Sequence, residues 1–239
     1  MIMEAGGTGG RPAGKHSGRS SSFRLTPIVL GALLTMLAAV LFLASSAFAP
    51  AATFPDVPAD HPYGDAISEL AEQKIILGYG DGSFGPDKLV LRQQFTKMIT
   101  LTLGLEVSET DICPFPDVEI SGPGDLYPDN YVAVAAAQGI TMGTTSQTFS
   151  PYRNISRFQV MTMVVRAVED LYPGLLSPPP LEFIATWNPE QSPDHGENAR
   201  RAEYHGLLAG LPLADLDPWA PMPRGEVARF PSRRRTFRS

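Results

Sequence analysis

The feature that most restricts the fold of this chain is that it repeats itself. "FPDV" occurs at 54–57 and again at 115–118, an offset of 61 residues. Beyond it, "QKIILGYGDGSFGPDKLVLRQQF" (73–95) aligns with "QGITMGTTSQTFSPYRNISRFQV" (138–160) at an offset of 65 without a gap. Gln73, Ile75, Gly78, Phe84, Pro86 and Arg92 fall on Gln138, Ile140, Gly143, Phe149, Pro151 and Arg157. Self-similarity at such a period means that one small unit, unable to bury its own apolar face, is stacked against its copies. A third, weaker copy is expected in 202–230, where Gly206, Leu207, Gly210, Trp219, Pro221, Arg224 and Glu226 follow the same order with altered spacing.

Each unit reads as loop, helix, loop, helix. Tyr63, Ala66, Ile67, Leu70 and Ala71 follow helical periodicity, and Phe95, Met98, Ile99 and Thr102 mark a second helical face closed by Gly104. The second copy repeats this with Tyr131, Val134 and Ala135, then with Phe158, Met161, Val165 and Val168 up to "YPG" at 172–174. In "ISRFQ" (155–159), Ser156 is placed to cap the helix while Gln159 reaches back, a capping box. The first copy has Leu91 at the cap position, losing about 1 kcal/mol of helix-start stability. In the third copy Pro223 stands at the cap, and Pro231 is expected to stop the last helix near Phe230. The fold class that follows is all-α.

The glycine-rich "GYGDGSFGPD" (78–87) could be a phosphate cradle, a calcium loop or a turn. A phosphate cradle needs a lysine after the second glycine of G-x-x-x-x-G, and a calcium loop needs alternating carboxylates; neither is present. The second copy lacks both Asp81 and Gly82 yet keeps Gly, Phe and Pro, so the retained part is a turn that anchors an aromatic ring. Gly82 is expected at positive φ, and Phe84, Phe149 and Trp219 as core plugs. His61, His195 and His205 have no metal-ligand spacing, no nucleophile–base constellation is evident, and no cofactor is called for.

Arg92, Arg157 and Arg224 each open a second helix. There a guanidinium adds to the positive end of the helix dipole and suits a carboxylate, either that of an anionic ligand or one belonging to the chain itself. Asp56 and Asp117, beside turns, could contact a ligand or accept backbone N–H groups.

The order F-x-D-V, amphipathic helix, Gly-rich F-x-P loop and I-[ST]-R-x-[EQ] helix start resembles the S-layer homology repeat. The resemblance covers 54–103 and 115–171 well and 195–230 poorly, with a proline-rich linker at 172–194 between them. It implies tandem helix-loop-helix units forming a pseudo-threefold helical bundle, the third repeat being degenerate. It also implies noncovalent, non-enzymatic binding of an anionic cell-wall polysaccharide, often pyruvylated. Carried residue by residue, it marks Asp56, Asp117, Gly82, Phe84, Arg92, Arg157 and Arg224 as ligand-binding candidates. The family usually has Glu where Gln94 and Gln159 stand, and Trp where Tyr63 stands.

Targeting agrees with an extracytoplasmic role. "PIVLGALLTMLAAVLFLA" (27–44) carries no charge, follows a basic stretch and precedes small residues, which reads as a signal peptide within 1–51. Its length also permits an uncleaved membrane anchor through 27–44, and with it a membrane-tethered protein-interaction module that binds no glycan. Cys113 is the only cysteine, so no intrachain disulfide can form. Removing the leader after Ala51 takes away four of 19 bases and one of 25 acids, leaving 15 against 24 and a net charge of −9. So acidic a body is a poor partner for nucleic acid, whose affinity comes from phosphate neutralisation. The tail at 231–239, with four arginines and no apolar stripe, reads as disordered.

Overall fold

The computed structural model describes residues 54–232; the apolar leader with its segment 27–44, and the basic tail beyond residue 232, lie outside the described residues. Among the described residues six α-helices follow in order: α1 Gly64–Glu72, α2 Arg92–Leu103, α3 Asp129–Ala137, α4 Arg157–Leu171, α5 Gly196–Tyr204 and α6 Arg224–Ser232. Two short 3-10 turns, Pro189–Gln191 and Leu213–Asp215, lie between them. Among the described residues there is no β-strand, only isolated bridges. Nor is any described helix long and apolar enough to cross a membrane.

The helices form where periodicity and end signals coincide. α1 buries Ile67 and Leu70, and α2 buries Phe95, Met98 and Ile99. α2 stops at Gly104, whose φ of 67° is the left-handed conformation that L side chains resist. α4 starts at Ser156, whose hydroxyl accepts the Gln159 N–H while the Gln159 side chain accepts the Ser156 N–H. At the start of α2 only half of that arrangement exists: Gln94 accepts the Leu91 N–H, but Leu91 has no oxygen to return the bond. α6 runs through Pro231 to Ser232, two residues past the stop expected at Phe230.

The first helix of each unit ends in one recurring hydrogen-bond pattern. Ile75, Ile140 and Leu207 donate their N–H groups to Leu70, Ala135 and Ala202, five residues back. The pattern needs a left-handed residue just before the donor. Gly139 (φ 67°) and Gly206 (φ 74°) supply it in two copies, whereas the first copy uses Lys74 at φ 57°.

Packing runs between units. α2 packs on α3, α4 on α5, and α6 returns to α1, so the second helix of each unit meets the first helix of the next and the last closes onto the first. The extended segments before the second helices follow the same order: Leu91 bridges Asn154, Ser156 bridges Pro221, and Pro223 bridges Leu89. The main core lies among these helices, with Phe84, Phe95, Ile140, Phe158, Met161 and Leu208 fully enclosed. A smaller cluster of Phe115, Val118, Val132 and Phe149 sits beneath the second unit's loop.

The proline-rich stretch 172–194 is packed at several points. Leu176, Trp187 and Ser192 are buried, and Arg201 of α5 donates to the Leu176 carbonyl. Trp219, expected as a core plug, is instead 46% exposed. Trp187 takes the enclosed position, meeting Phe158 edge to face at 5.7 Å while its indole N–H reaches the carbonyls of Leu213 and Leu216.

Candidate functional site

Asp56 and Asp117 organise the loops of the first two units. One carboxylate oxygen of Asp56 accepts the Phe84 N–H (2.8 Å) and the other the Gly85 N–H (2.7 Å). Asp117 does the same for Phe149 and Ser150, both at 2.8 Å. The Phe84 N–H, with Gly85 assisting, holds the Asp56 carboxyl below its ordinary value against modest desolvation. Phe54 and Phe115 then lie against Phe84 and Phe149 at 5.3 and 5.7 Å, fixing both rings inside. Gly82 sits at φ 82° on the exposed loop, with open space where a Cβ would stand, so backbone conformation alone favours glycine there.

The three helix-start arginines each reach into the loop of the next unit, and each meets a different environment. Arg92 donates through Nη2 to the Thr141 hydroxyl (3.1 Å) and the Gly143 carbonyl (3.2 Å), with its guanidinium 4.9 Å from the centre of the Phe149 ring. Arg224 donates to the carbonyls of Phe84 and Leu77, both at 3.0 Å, and lies over Phe84 and Tyr79. Arg157 instead makes a two-pronged pair with Glu226, at 2.8 Å from Nε and 2.6 Å from Nη2, and donates to the Asp217 carbonyl. Both partners of that pair are buried. The guanidinium groups are thus not at exposed helix entries: Arg92 and Arg157 are 5% and 7% exposed.

Arg92 stands apart in its charge balance. Like Arg224 it makes no ion pair among the described residues, but its Nε is in addition buried without a hydrogen-bond partner. Burial, with Arg166 and Arg153 adding to it, pushes its pKa down to about 10, which leaves it cationic at neutral pH. It faces a cleft of about 580 Å³ lined by Arg153, Arg166, Asp194, His195 and Trp219 along with the second unit's loop. Three arginines against one aspartate make this cleft cationic on a chain whose net charge is −6.

Trp219 and His195 form one side of that cleft. Trp219 meets Phe158 and His195 edge to face at 5.2 and 5.7 Å, which leaves the indole supported from below and open to solvent. His195 shares a 2.8 Å hydrogen bond with the Thr162 hydroxyl, and burial pushes its pKa down against the pull of Asp194. A neutral imidazole beside the arginines adds no charge of its own. Of the candidates named from sequence, only Arg92 lines this cleft. The repeat motif marks neither Arg153, which aligns with Lys88, nor Arg166, farther along α4, as a ligand contact, and it gives Trp219 the core position of Phe84 and Phe149; the basic residue shared by Lys88 and Arg153 just after the F-x-P turn is the available signal.

The described residues hold no group of three or more His, Cys, Asp or Glu side chains able to take a metal ion. The cleft presents three guanidinium groups next to an aromatic face, groups that act through charge and hydrogen bonding.

Comparison with known proteins adds an independent line. The model of the S-layer homology domain matches residues 53–96 and 114–161. The chain is 39% identical over 105 residues to an endoglucanase of Bacillus sp. (strain KSM-635), covering 44% of this chain and 10% of that protein. It is 31% identical over 115 residues to the S-layer protein of Bacillus licheniformis, covering 48% of this chain and 13% of the relative. With the cellulosome-anchoring protein of Acetivibrio thermocellus, it shares 30% identity over 135 residues, 55% of this chain and 28% of the relative. The chain therefore spans less than a third of the length of each of these relatives.

Proposed function

From a chain that carries S-layer homology domains at residues 53–96 and 114–161, we propose a noncovalent anchor that holds its bearer to the cell envelope by binding an anionic cell-wall polysaccharide. One observation carries this reading: the cationic, carboxylate-free Arg92, 5% exposed, faces a cleft with Arg153 and Arg166. A buried charge without a counter-ion is costly, so a ligand carboxylate that supplies two hydrogen bonds to the guanidinium would relieve that cost. A pyruvylated sugar fits, because its acid group is compact and its ring can lie on the Trp219 indole.

The cyclic packing of α2 on α3, α4 on α5 and α6 on α1 supports three units in a pseudo-threefold bundle, the third altered. In such a bundle the three arginines mark three equivalent positions. Arg157 has Glu226 as its counter-ion and Arg224 is closed over by two carbonyls and two rings, so the Arg92 cleft is the working anion site. Asp56, Asp117, Gly82 and Phe84 act by shaping the loops that border these positions.

Relatives named as S-layer and cellulosome-anchoring proteins favour a cell-surface location, and the uncharged segment 27–44 favours export. The endoglucanase relative is matched over only 10% of its length, in keeping with a noncatalytic module that accompanies different partners. The test is sedimentation of the full chain with purified cell walls before and after removal of the nonpeptidoglycan polymer. Retention that depends on the polymer and is lost in Arg92→Gln is the expected result. Retention on stripped walls, or by Arg92→Gln at the level of the unaltered chain, would reject the proposal.

A further inference from the structure

We propose that the chain binds an uncharged sugar ring in a second cleft, built around Gln93 on the opposite side of the wall that carries Arg92. The wall consists of two hydrogen-bonded segments: the Arg92 N–H donates to the Arg153 carbonyl (2.9 Å) and the Gln93 N–H to the Pro151 carbonyl (3.2 Å). Alternate residues of these segments face opposite ways. Arg92 and Arg153 line the cationic cleft, whereas Gln93 and Tyr152 line the other.

The second cleft has a volume of about 270 Å³, just under the range of roughly 300–1,000 Å³ typical of drug-sized sites, and so suits a single small ring. Its floor contains Gln93, 6% exposed, whose Oε1 is buried with no hydrogen-bond partner. An orphaned buried amide oxygen is rare and calls for a donor from whatever fills the space. The remaining polar groups make the same demand. The Glu119 carboxylate accepts the Tyr152 hydroxyl (2.8 Å), the Asp125 carboxylate accepts the Tyr127 N–H (3.0 Å), and the Ser121 hydroxyl is turned to Asp129 (2.6 Å). Each carboxylate retains free acceptor capacity.

No arginine or lysine lines this cleft, which rules against an anion. A cation is disfavoured as well, because the Lys97 ammonium already sits over the Tyr127 ring at 5.2 Å. Burial pushes the Tyr127 phenol up to about 12, with the Gln93 side-chain hydrogen bond opposing, so the ring stays neutral. Tyr152, 60% exposed, offers an aromatic face at the rim. Hydroxyl donors together with an aliphatic ring face describe a neutral pyranose. This site is separate from the Arg92 cleft and stands whether or not that cleft takes an acid group.

Chemical-shift mapping of the full chain with methyl β-D-glucopyranoside tests it, with ethanolamine as the cationic probe. The glycoside should perturb the Gln93 carboxamide and the Tyr127 and Tyr152 rings with a dissociation constant on the millimolar scale. Gln93→Leu and Tyr152→Ala should each weaken it roughly tenfold. Tyr152→Ala alters an exposed side chain and decides the matter should Gln93→Leu fail to fold. The proposal is overturned by no perturbation up to about 50 mM, by unchanged binding in Tyr152→Ala, or by a response to ethanolamine alone.

Discussion

Arg92 and Arg157 hold equivalent positions 65 residues apart, yet one lacks a carboxylate and the other is locked to Glu226. Removing Glu226 strands a buried guanidinium, so Glu226→Ala should cost about 3–5 kcal/mol in chemical denaturation. Arg92 has no such partner to strand. Arg92→Met removes the hydrogen bonds from Nη2 to Thr141 and Gly143 and the contact over the Phe149 ring, but also a buried charge without a counter-ion, so the opposing terms should leave stability within about 1–2 kcal/mol of the original. Asp56 gives a pH signature. Its folded value lies below that of the unfolded chain, so its stabilisation is complete above the ordinary carboxylate range and disappears as pH falls through the folded value. Thermal unfolding followed from about pH 6 to about pH 2 should show an acid-side decline that is shallower in Asp56→Ala. The residue motifs were legible because they recur: the doubled FPDV and F-x-P spacing marked Asp56, Asp117, Phe84 and Phe149, which the folded chain joins pairwise. The Arg157–Glu226 pair was open only as one of two alternatives, since nothing local links residues 69 apart.

At the scale of single elements, end chemistry differs between copies in ways that can be measured. Ser156→Ala should cost about 1 kcal/mol by removing the hydroxyl that accepts the Gln159 N–H at the start of α4. Lys74→Gly should gain up to about 1 kcal/mol, because Lys74 adopts a φ of 57° where the other copies place glycine. Chemical denaturation midpoints of the two variants read these opposite signs. Helix faces and the capping box follow from short-range spacing, and they appear in the structure as expected. The segment 172–194 was opaque for a physical reason. Its prolines signal an irregular path, but composition does not reveal that Trp187 turns inward and bonds two carbonyls of the third loop. With that enclosed position taken, Trp219 is left on the cleft.

Across the whole molecule, each unit completes its neighbour. α6 closes on α1, and Arg224 reaches carbonyls 140 and 147 residues earlier in the chain. The repeat period foretold that copies would stack, whereas the sequence motif treated all three arginines alike and could not distinguish the cationic cleft at Arg92. That distinction depends on Asp194, Arg166 and Trp219 meeting from distant parts of the chain. The most direct measurement is calorimetric titration of the full chain with purified acidic wall polymer, alongside the same polymer after its carboxyl groups are reduced to alcohols, at fixed ionic strength. The account predicts binding to the acidic form that falls at least about tenfold on carboxyl reduction and to the same extent in Arg92→Gln. Equal affinity for the reduced polymer, or an Arg92→Gln chain that binds the acidic form as tightly as the original, would contradict it.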